Sequence, residues 1–363
     1  MKILLLGEYS GLHRNLKEGL IELGHSPVVA SAGDGWKNVP RDIDLRSSGS
    51  GLSGKIKSLA KPFQSLKKLK GFEVVQLINP FIFYNRFIPN RRFYSEVVEG
   101  NDSFFLLAAG DDAYYWRVAR AKLKYGPFND FLEFDIKAKN FFMSSDHAFK
   151  FNEYIANKAK GIIPIMYDYQ IGYEGRKNLR PAIPIPINLS LVNFRPNIVK
   201  NKLVVFHGLN RYGFKGTKYV ESAFEYLGKK YPNDLELIIK GHMPLAEYLT
   251  LMERANVVID QTSSYSLGIS GIYALAMGKV VMGGAERESL DCFKIQKSPV
   301  INIIPDSYDL IQKIEALLER RSDIEFLGEE SRKYCEDHHS HLKVAQKYVE
   351  QWRAKDLIGF DKC

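Results

Sequence analysis

Two hydrophobic rhythms alternate along the chain. Ile3 to Leu6 is an unbroken apolar run, as expected of a strand covered on both faces. After a turn over Gly7 to Gly11, Leu16, Leu20 and Leu23 take helical spacing, which predicts a helix over 12–23. Gly24-His25 leads to a strand over 27–30, and further strands are predicted over 73–78, 103–108 and 161–165. Strands separated by helical stretches argue for a parallel sheet of βαβ units, whose binding sites lie beyond the strand C-termini. Pro181, Pro184 and Pro186 then force an extended, semi-rigid segment, read as a domain boundary. A second series follows: strands over 203–206, 235–239, 257–259 and 280–282, with helices over 218–230, 244–255 and 269–277. The stretch 329–352 reads as helix and is strongly charged. The pattern predicts an α/β chain of two Rossmann-like parallel-sheet domains facing across a cleft.

At 363 residues the chain is long for one core and natural for two. Hydrophobic content of 45% and charged content of 26% suit an ordinary globular protein. No apolar run approaches the roughly 18 residues that cross a bilayer. The N-terminal apolar segment ends at Glu8, so it reads as a first strand and not a targeting segment. Cys292, Cys335 and Cys363 are scattered, which fits a reducing cytoplasm and neither a disulfide frame nor structural zinc.

A formal net charge of +9 asks for an anionic partner. The basic segment Lys55, Lys57, Lys61, Lys67, Lys68 and Lys70 is interleaved with Ile56, Leu59, Phe63, Leu66 and Leu69. A solvated helical face explains it; so does a patch resting on acidic lipid or on a lipid-diphosphate acceptor. No recognised nucleic-acid module accompanies the charge, so nucleic acid is not expected as a partner.

Candidate chemistry is densest over 207–281. His207-Gly-Leu-Asn-Arg211-Tyr-Gly213-Phe-Lys215-Gly216 puts two cations in a glycine-containing turn after a strand. Gly268-Ile269-Ser270-Gly271 opens a small-residue helix that carries Tyr273. Two cations and a free helix N-terminus suit a diphosphate, although Ser270 also serves as an ordinary cap. With no Asp-x-Asp element in the chain, Arg211 and Lys215 are the simpler neutralising groups, and neither a metal nor a cofactor is expected. Glu8, Gly11 and His13 follow the first strand on the cleft side, where Gly11 would let the loop approach a substrate. His13 reads as a base, a substrate contact or, most simply, a satisfied surface histidine. Asp111 and Asp112 follow the strand over 103–108 and could bind acceptor hydroxyls, act as a base, or cap the next helix. His338, His339 and His341 fall on one expected helix without the cysteine or carboxylate spacing of zinc sites. Tyr167-Asp168-Tyr169 is expected to pack near the domain junction.

On these residues the chain resembles the GT-B glycosyltransferases, closest to glycosyltransferase family four. Arg211 and Lys215-Gly216 match the family's diphosphate-holding Arg and Lys-Gly, Asp260-Gln261 before the glycine turn resembles a bacterial branch, and the opening 1–25 resembles the first βαβ unit. The resemblance implies an N-terminal acceptor domain over 1–185, completed by a C-terminal helix at about 340–363, and a donor domain over 186–339. It further implies sugar transfer with retention from a UDP- or GDP-linked donor to a glycan or lipid-linked acceptor. The setting would be bacterial surface polysaccharide or glycolipid synthesis, in the cytoplasm at the inner face of the cell membrane. Arg211, Lys215 and Asp111 would carry catalysis, and Gly216, Gly268, Ile269, Ser270, Gly271, Tyr273 and His207 would hold the donor. Glu8, Gly11, His13 and Asp112 would face the sugar or acceptor. One departure is large: the family's two glutamates in the glycine-turn helix are Tyr265 and Tyr273 here, and a phenol cannot clamp a ribose diol as a carboxylate does. Glu286 or Glu288 from the next loop is the candidate replacement. The missing glutamates also motivate a second reading, an inactive binding or assembly module, and a nucleotide-sugar epimerase on the same fold is a third.

Overall fold

The computed structural model describes residues 1–33, 39–46, 60–241, 243 and 245–354. Lys55, Ile56, Lys57 and Leu59 of the basic segment, Cys363 and the end of the expected C-terminal helix lie outside the described residues. The first sheet contains β1 (Lys2–Leu6), β2 (Ser26–Ser31), β3 (Ile43–Asp44), β4 (Val74–Leu77), β5 (Phe104–Ala108) and β6 (Gly161–Pro164), in the order β3-β2-β1-β4-β5-β6. The second contains β7 (Leu203–Leu209), β8 (Leu235–Gly241), β9 (Val257–Ile259), β10 (Val280–Gly283) and β11 (Ile301–Asn302), in the order β11-β10-β9-β7-β8. All strand pairs are parallel. β1, β4 and β5 are buried along almost their whole length, which is why none of them alternates and why β1 from Ile3 and β5 read as unbroken apolar runs, whereas β4 carries the buried Gln76. In each sheet the chain reverses its direction of travel beside the first strand, between β1 and β4 and between β7 and β9. Ligands bind at such switch points, outside the strand C-termini.

The helices used below are α1 (Leu12–Glu22), α2 (Asn90–Glu99), α3 (Asp146–Lys158) and α4 (Tyr167–Tyr173) in the first lobe. The second lobe has α5 (Tyr212–Lys215), α6 (Thr217–Lys230), α7 (Leu245–Arg254), α8 (Ile269–Ala276) and α9 (Ile324–His338), and the chain then forms α10 (His341–Arg353). α10 returns to the first lobe and packs on α1, where Leu12, Leu16 and Leu20 meet Val344, Ala345 and Tyr348 in one buried cluster. Gly19 permits the crossing, since a Cβ there would meet the His341 carbonyl oxygen at 2.3 Å.

The single helix expected over 329–352 is a correction. The chain breaks after His338, and Ser340 forms a parallel bridge with Ile187 of the proline-rich linker. The Ile187 N–H donates to the His339 carbonyl at 2.7 Å and the His341 N–H donates back to the Ile187 carbonyl at 3.0 Å. The three histidines therefore do not share a helix: His339 donates through Nδ1 to Ile185, while His341 Nε2 faces Glu22. The two passages of the chain between lobes are pinned together at this point.

The lobes also meet through side chains. Phe214 of α5 enters an aromatic cluster with Tyr115, Trp116, Phe128 and Phe131 of the first lobe. Asp168, 2% exposed, accepts from Ser264 Oγ at 2.7 Å and from the Tyr265 N–H at 3.0 Å.

Candidate functional site

A cavity of about 460 Å³ opens between the lobes at both switch points. Its first-lobe wall is the β1–α1 corner, with Ser10, Gly11, Arg14 and Asn15. Gly11 adopts φ 87 and Ser10 φ 54, so the corner needs two left-handed residues in a row, a conformation that glycine takes without a Cβ penalty. The second-lobe wall comes from the end of β7, α5, α7 and the start of α8: Asn210, Lys215, Tyr248, Met252, Ile269, Ser270 and Tyr273.

Lys215 is 6% exposed, and its Nζ lies 3.0 Å from Asp260 Oδ1. The other oxygen of Asp260, Oδ2, accepts the Gly268 N–H at 2.7 Å. One buried carboxylate thus ties an ammonium to the N-terminus of α8. Burial is the largest influence on Lys215 and lowers its pKa, but the Asp260 charge and hydrogen bond together with Tyr248 outweigh it and the value lies above the ordinary one. The following N–H groups of α8, at Ile269 and Ser270, have no carbonyl one turn earlier within the helix to bond and lie at the cavity wall. The site can therefore offer a fixed cation and helix-end amides to an anion.

Tyr273 borders the cavity, and its hydroxyl accepts from Asn15 Nδ2 at 3.2 Å across the lobes. Asn15 in turn accepts the Asn188 N–H at 2.9 Å, which connects the linker to the cleft.

Of the residues singled out in the sequence, Lys215, Gly11, Ile269, Ser270 and Tyr273 come together here, and Gly216, Gly268 and Gly271 stand directly behind them. Arg211 does not line the cavity: its side chain is 46% exposed, with Nη1 3.3 Å from Asp111 Oδ2 and the guanidinium 3.6 Å above the Phe214 ring. Asp111, whose pKa burial raises, is thus engaged across the lobes. Asp112 caps the segment that follows it, accepting the Tyr115 N–H at 2.8 Å and the Tyr173 hydroxyl at 2.5 Å, and burial lifts its pKa to about 6. Glu8 is 1% exposed and caps α1 by accepting the N–H groups of His13 and Arg14.

His13, expected at the surface, is completely buried. Its Nδ1 donates to the Gly7 carbonyl and Gln76 Nε2 lies 3.4 Å from its Nε2; burial lowers its pKa to about 4. His207 is equally buried, donating to the Ile259 carbonyl and paired with Thr217 Oγ1, also with a pKa of about 4. Glu286 accepts from the Tyr125 hydroxyl at 2.6 Å and Glu288 faces Lys124 at 3.8 Å; neither lines the cavity. Tyr265, at the first glutamate position, stacks on Tyr125 in the lobe interface.

The sequence reading passed over Arg14, Asn15, Asn210 and Tyr248 on the cavity wall. Arg14 and Asn15 follow Gly11 in the first turn of α1, and that adjacency was the available signal. Nothing local marks Tyr248. Among the described residues, no group of three or more His, Cys, Asp or Glu is arranged to hold a metal ion, and no helix is long and apolar enough to cross a membrane.

Two doubly wound parallel sheets with a ligand-sized cleft between their strand C-termini define a GT-B fold. No family model and no curated protein matches the chain, but solved structures of this fold do. Sucrose-phosphate synthase from Thermosynechococcus elongatus superposes with a TM-score of 0.65 at 15% identity, covering 97% of this chain and 98% of that one. HepE from Anabaena, in complex with UDP and glucose, gives 0.61 at 13% identity over 98% and 100%. UDP-GlcNAc 2-epimerase from Neisseria meningitidis, bound to UDP-GlcNAc, gives 0.52 at 12% identity over 97% and 99%.

Proposed function

We propose that the chain is a glycosyltransferase that moves a sugar from a UDP- or GDP-linked donor to a hydroxyl of a glycan or lipid-linked acceptor. One observation carries the reading: the interlobe cavity has the Lys215 ammonium and the first-turn amides of α8 on one wall and Gly11 and Arg14 on the other. A diphosphate would meet fixed positive charge and helix-end N–H groups there. Met243, Tyr248 and Met252 supply an apolar wall suited to a nucleobase. The Tyr273 hydroxyl, oriented by Asn15, would take the place beside the ribose that a glutamate holds in the resembled family.

In a retaining transfer without a metal, the bond from the anomeric carbon to the diphosphate oxygen breaks as the acceptor oxygen bonds that carbon from the same face. The departing phosphate takes the acceptor proton. Lys215 and the α8 amides would meet the negative charge that develops on the leaving group. Arg211 would join them only after releasing Asp111, a rearrangement that donor binding or lobe motion would have to drive. Bacterial surface polysaccharide or glycolipid synthesis is the setting the resemblance suggests.

Calorimetry with UDP, GDP and dTDP, followed by an assay for sugar release without acceptor, tests the reading. Binding of one nucleotide with slow release of its sugar is expected. A second reading, an inert module, draws on the Asp260 carboxylate that already neutralises Lys215 and on the placement of Tyr265 away from the cavity. Nucleotide binding with no turnover under any acceptor would favour it, and conversion of the donor to its epimer would favour the epimerase. Absence of heat with every nucleoside diphosphate would remove the transferase and the epimerase and favour the inert module as an assembly subunit.

A further inference from the structure

Away from the cleft, the first lobe has a face on which cations and aromatic rings are exposed together. Residues 80–92, leaving the C-terminal end of β4, contain Arg86, Arg91 and Arg92 and no Asp or Glu. Phe87 is 71% exposed, with the Arg86 guanidinium 4.6 Å from its ring centroid. Phe142, 42% exposed, packs against Tyr84 at 5.1 Å and Phe81 at 6.0 Å, extending the aromatic surface toward the start of α3. Arg91 lies over Tyr154 of α3, with Lys158 on the same ring. Among the described residues Arg86, Arg91, Arg92, Lys139 and Lys158 form no ion pair, whereas Asp146, the nearby acid at the start of α3, is engaged by Arg117.

Single exposed apolar residues are ordinary on a protein surface. Here the exposed Phe87 ring carries the Arg86 guanidinium, and Arg91 and Arg92 follow without an ion pair at the start of α2, an arrangement that suits a boundary apolar on one side and phosphate-rich on the other. We propose that this face docks on an anionic lipid bilayer, with Phe87 and Phe142 entering the headgroup boundary and Arg86, Arg91 and Arg92 meeting lipid phosphates. Stacking holds Arg86 and Arg91 against aromatic rings, so part of their side-chain freedom is already lost before binding. The loop also sits beside the cleft. A Cβ on Gly7 would meet Ile78 Cγ2 at 2.5 Å and Ile82 Cγ1 at 3.0 Å, so the strand end that feeds the docking loop touches the β1–α1 corner. Docking would hold the mouth of the cavity near the bilayer plane, where a lipid-linked acceptor presents its hydroxyl.

The surface is tested without donor or acceptor, so the result is independent of whether the cleft transfers sugar. Full-length protein is sedimented with phosphatidylcholine vesicles, with or without about 30% phosphatidylglycerol, at low and high salt. Binding to the anionic vesicles, weakened by salt, is expected. Arg86→Glu/Arg91→Glu/Arg92→Glu should lower partitioning by about 100-fold or more, on the scale of about fivefold per cation. Phe87→Ser should lower it several-fold, and this variant and the arginine variant should melt with the wild type because the altered side chains are exposed. Wild-type protein left in the supernatant, equal binding to neutral vesicles, or unchanged binding by the variants would each overturn the proposal. So would competition by an oligonucleotide as effective as that by anionic lipid, which would assign the face to nucleic acid.

Discussion

Lys215 answers to two masters, the cavity and Asp260. Replacing it with alanine should cut sugar transfer by about 100-fold, the scale for deleting one positioned electrostatic group. The same change strands Asp260 in the interior without its cation, at a cost of about 3–5 kcal/mol. The double variant Lys215→Met/Asp260→Asn separates the two effects. It should melt close to wild type, because no unpaired charge remains, yet transfer no faster than the single variant; full activity in it would deny Lys215 any part in the reaction. Gly216, next along, has φ 66, and a Cβ there would sit 2.0 Å from Thr262 Oγ1. Gly216→Ala should cost about 2–3 kcal/mol in urea unfolding from strain and overpacking, and an unchanged midpoint would contradict that geometry. At this scale, residues joined by one local motif were legible in the sequence: Lys215, Ile269 and Ser270 stand beside strand ends and glycine turns. Arg211 was harder to read. It stands in extended backbone at the edge of the one-turn helix α5, with φ −136, and its guanidinium pairs with Asp111 while Lys215 pairs with Asp260. Arg14, Asn15 and Tyr248 gather at one cavity only when two lobes face each other, and no local spacing encodes that.

Elements were read well where one face, or both, must be apolar. The strand β1 and the amphipathic helices α1 and α6 lie within a residue or two of the positions their periodicity predicts, while β7 runs three residues past the expected 206. The break between α9 and α10 was invisible because helical periodicity runs through it without glycine or proline. What stops the helix is a partner some 150 residues earlier in sequence, the linker residue Ile187. Ile187→Pro should remove the donor to the His339 carbonyl and destabilise the protein by about 1–3 kcal/mol, whereas Ile187→Val should keep the bridge. Equal unfolding midpoints for the two variants would show that the bridge contributes nothing.

Across the whole molecule, burial sets the response to pH. His13, His207 and His339 have pKa values of about 4 against an ordinary 6.5, each lowered chiefly by desolvation. Such groups stay neutral when folded, so their stabilisation is complete above pH 6.5 and drains away as the pH falls through 4. Each contributes about 3 kcal/mol to that loss. Asp112 works in the opposite sense: with its pKa raised to about 6, it favours the fold below its ordinary 3.8 and loses that contribution as the pH rises through 6. The comparison that isolates one histidine is wild type against His207→Gln, and their difference in unfolding free energy should shift by about 3 kcal/mol between pH 7 and pH 4. A constant difference would mean that His207 titrates normally.

The crossing of α1 and α10 at Gly19 also bears on biosynthesis. Leu12, Leu16 and Leu20 leave the ribosome before the whole second lobe, and the groups that cover them, Val344 to Trp352, leave only after it. Throughout translation of the second lobe, the nascent first lobe therefore carries an uncovered greasy seam. That seam stays uncovered until the closing helix docks, so the first lobe completes its core only after the second has been made.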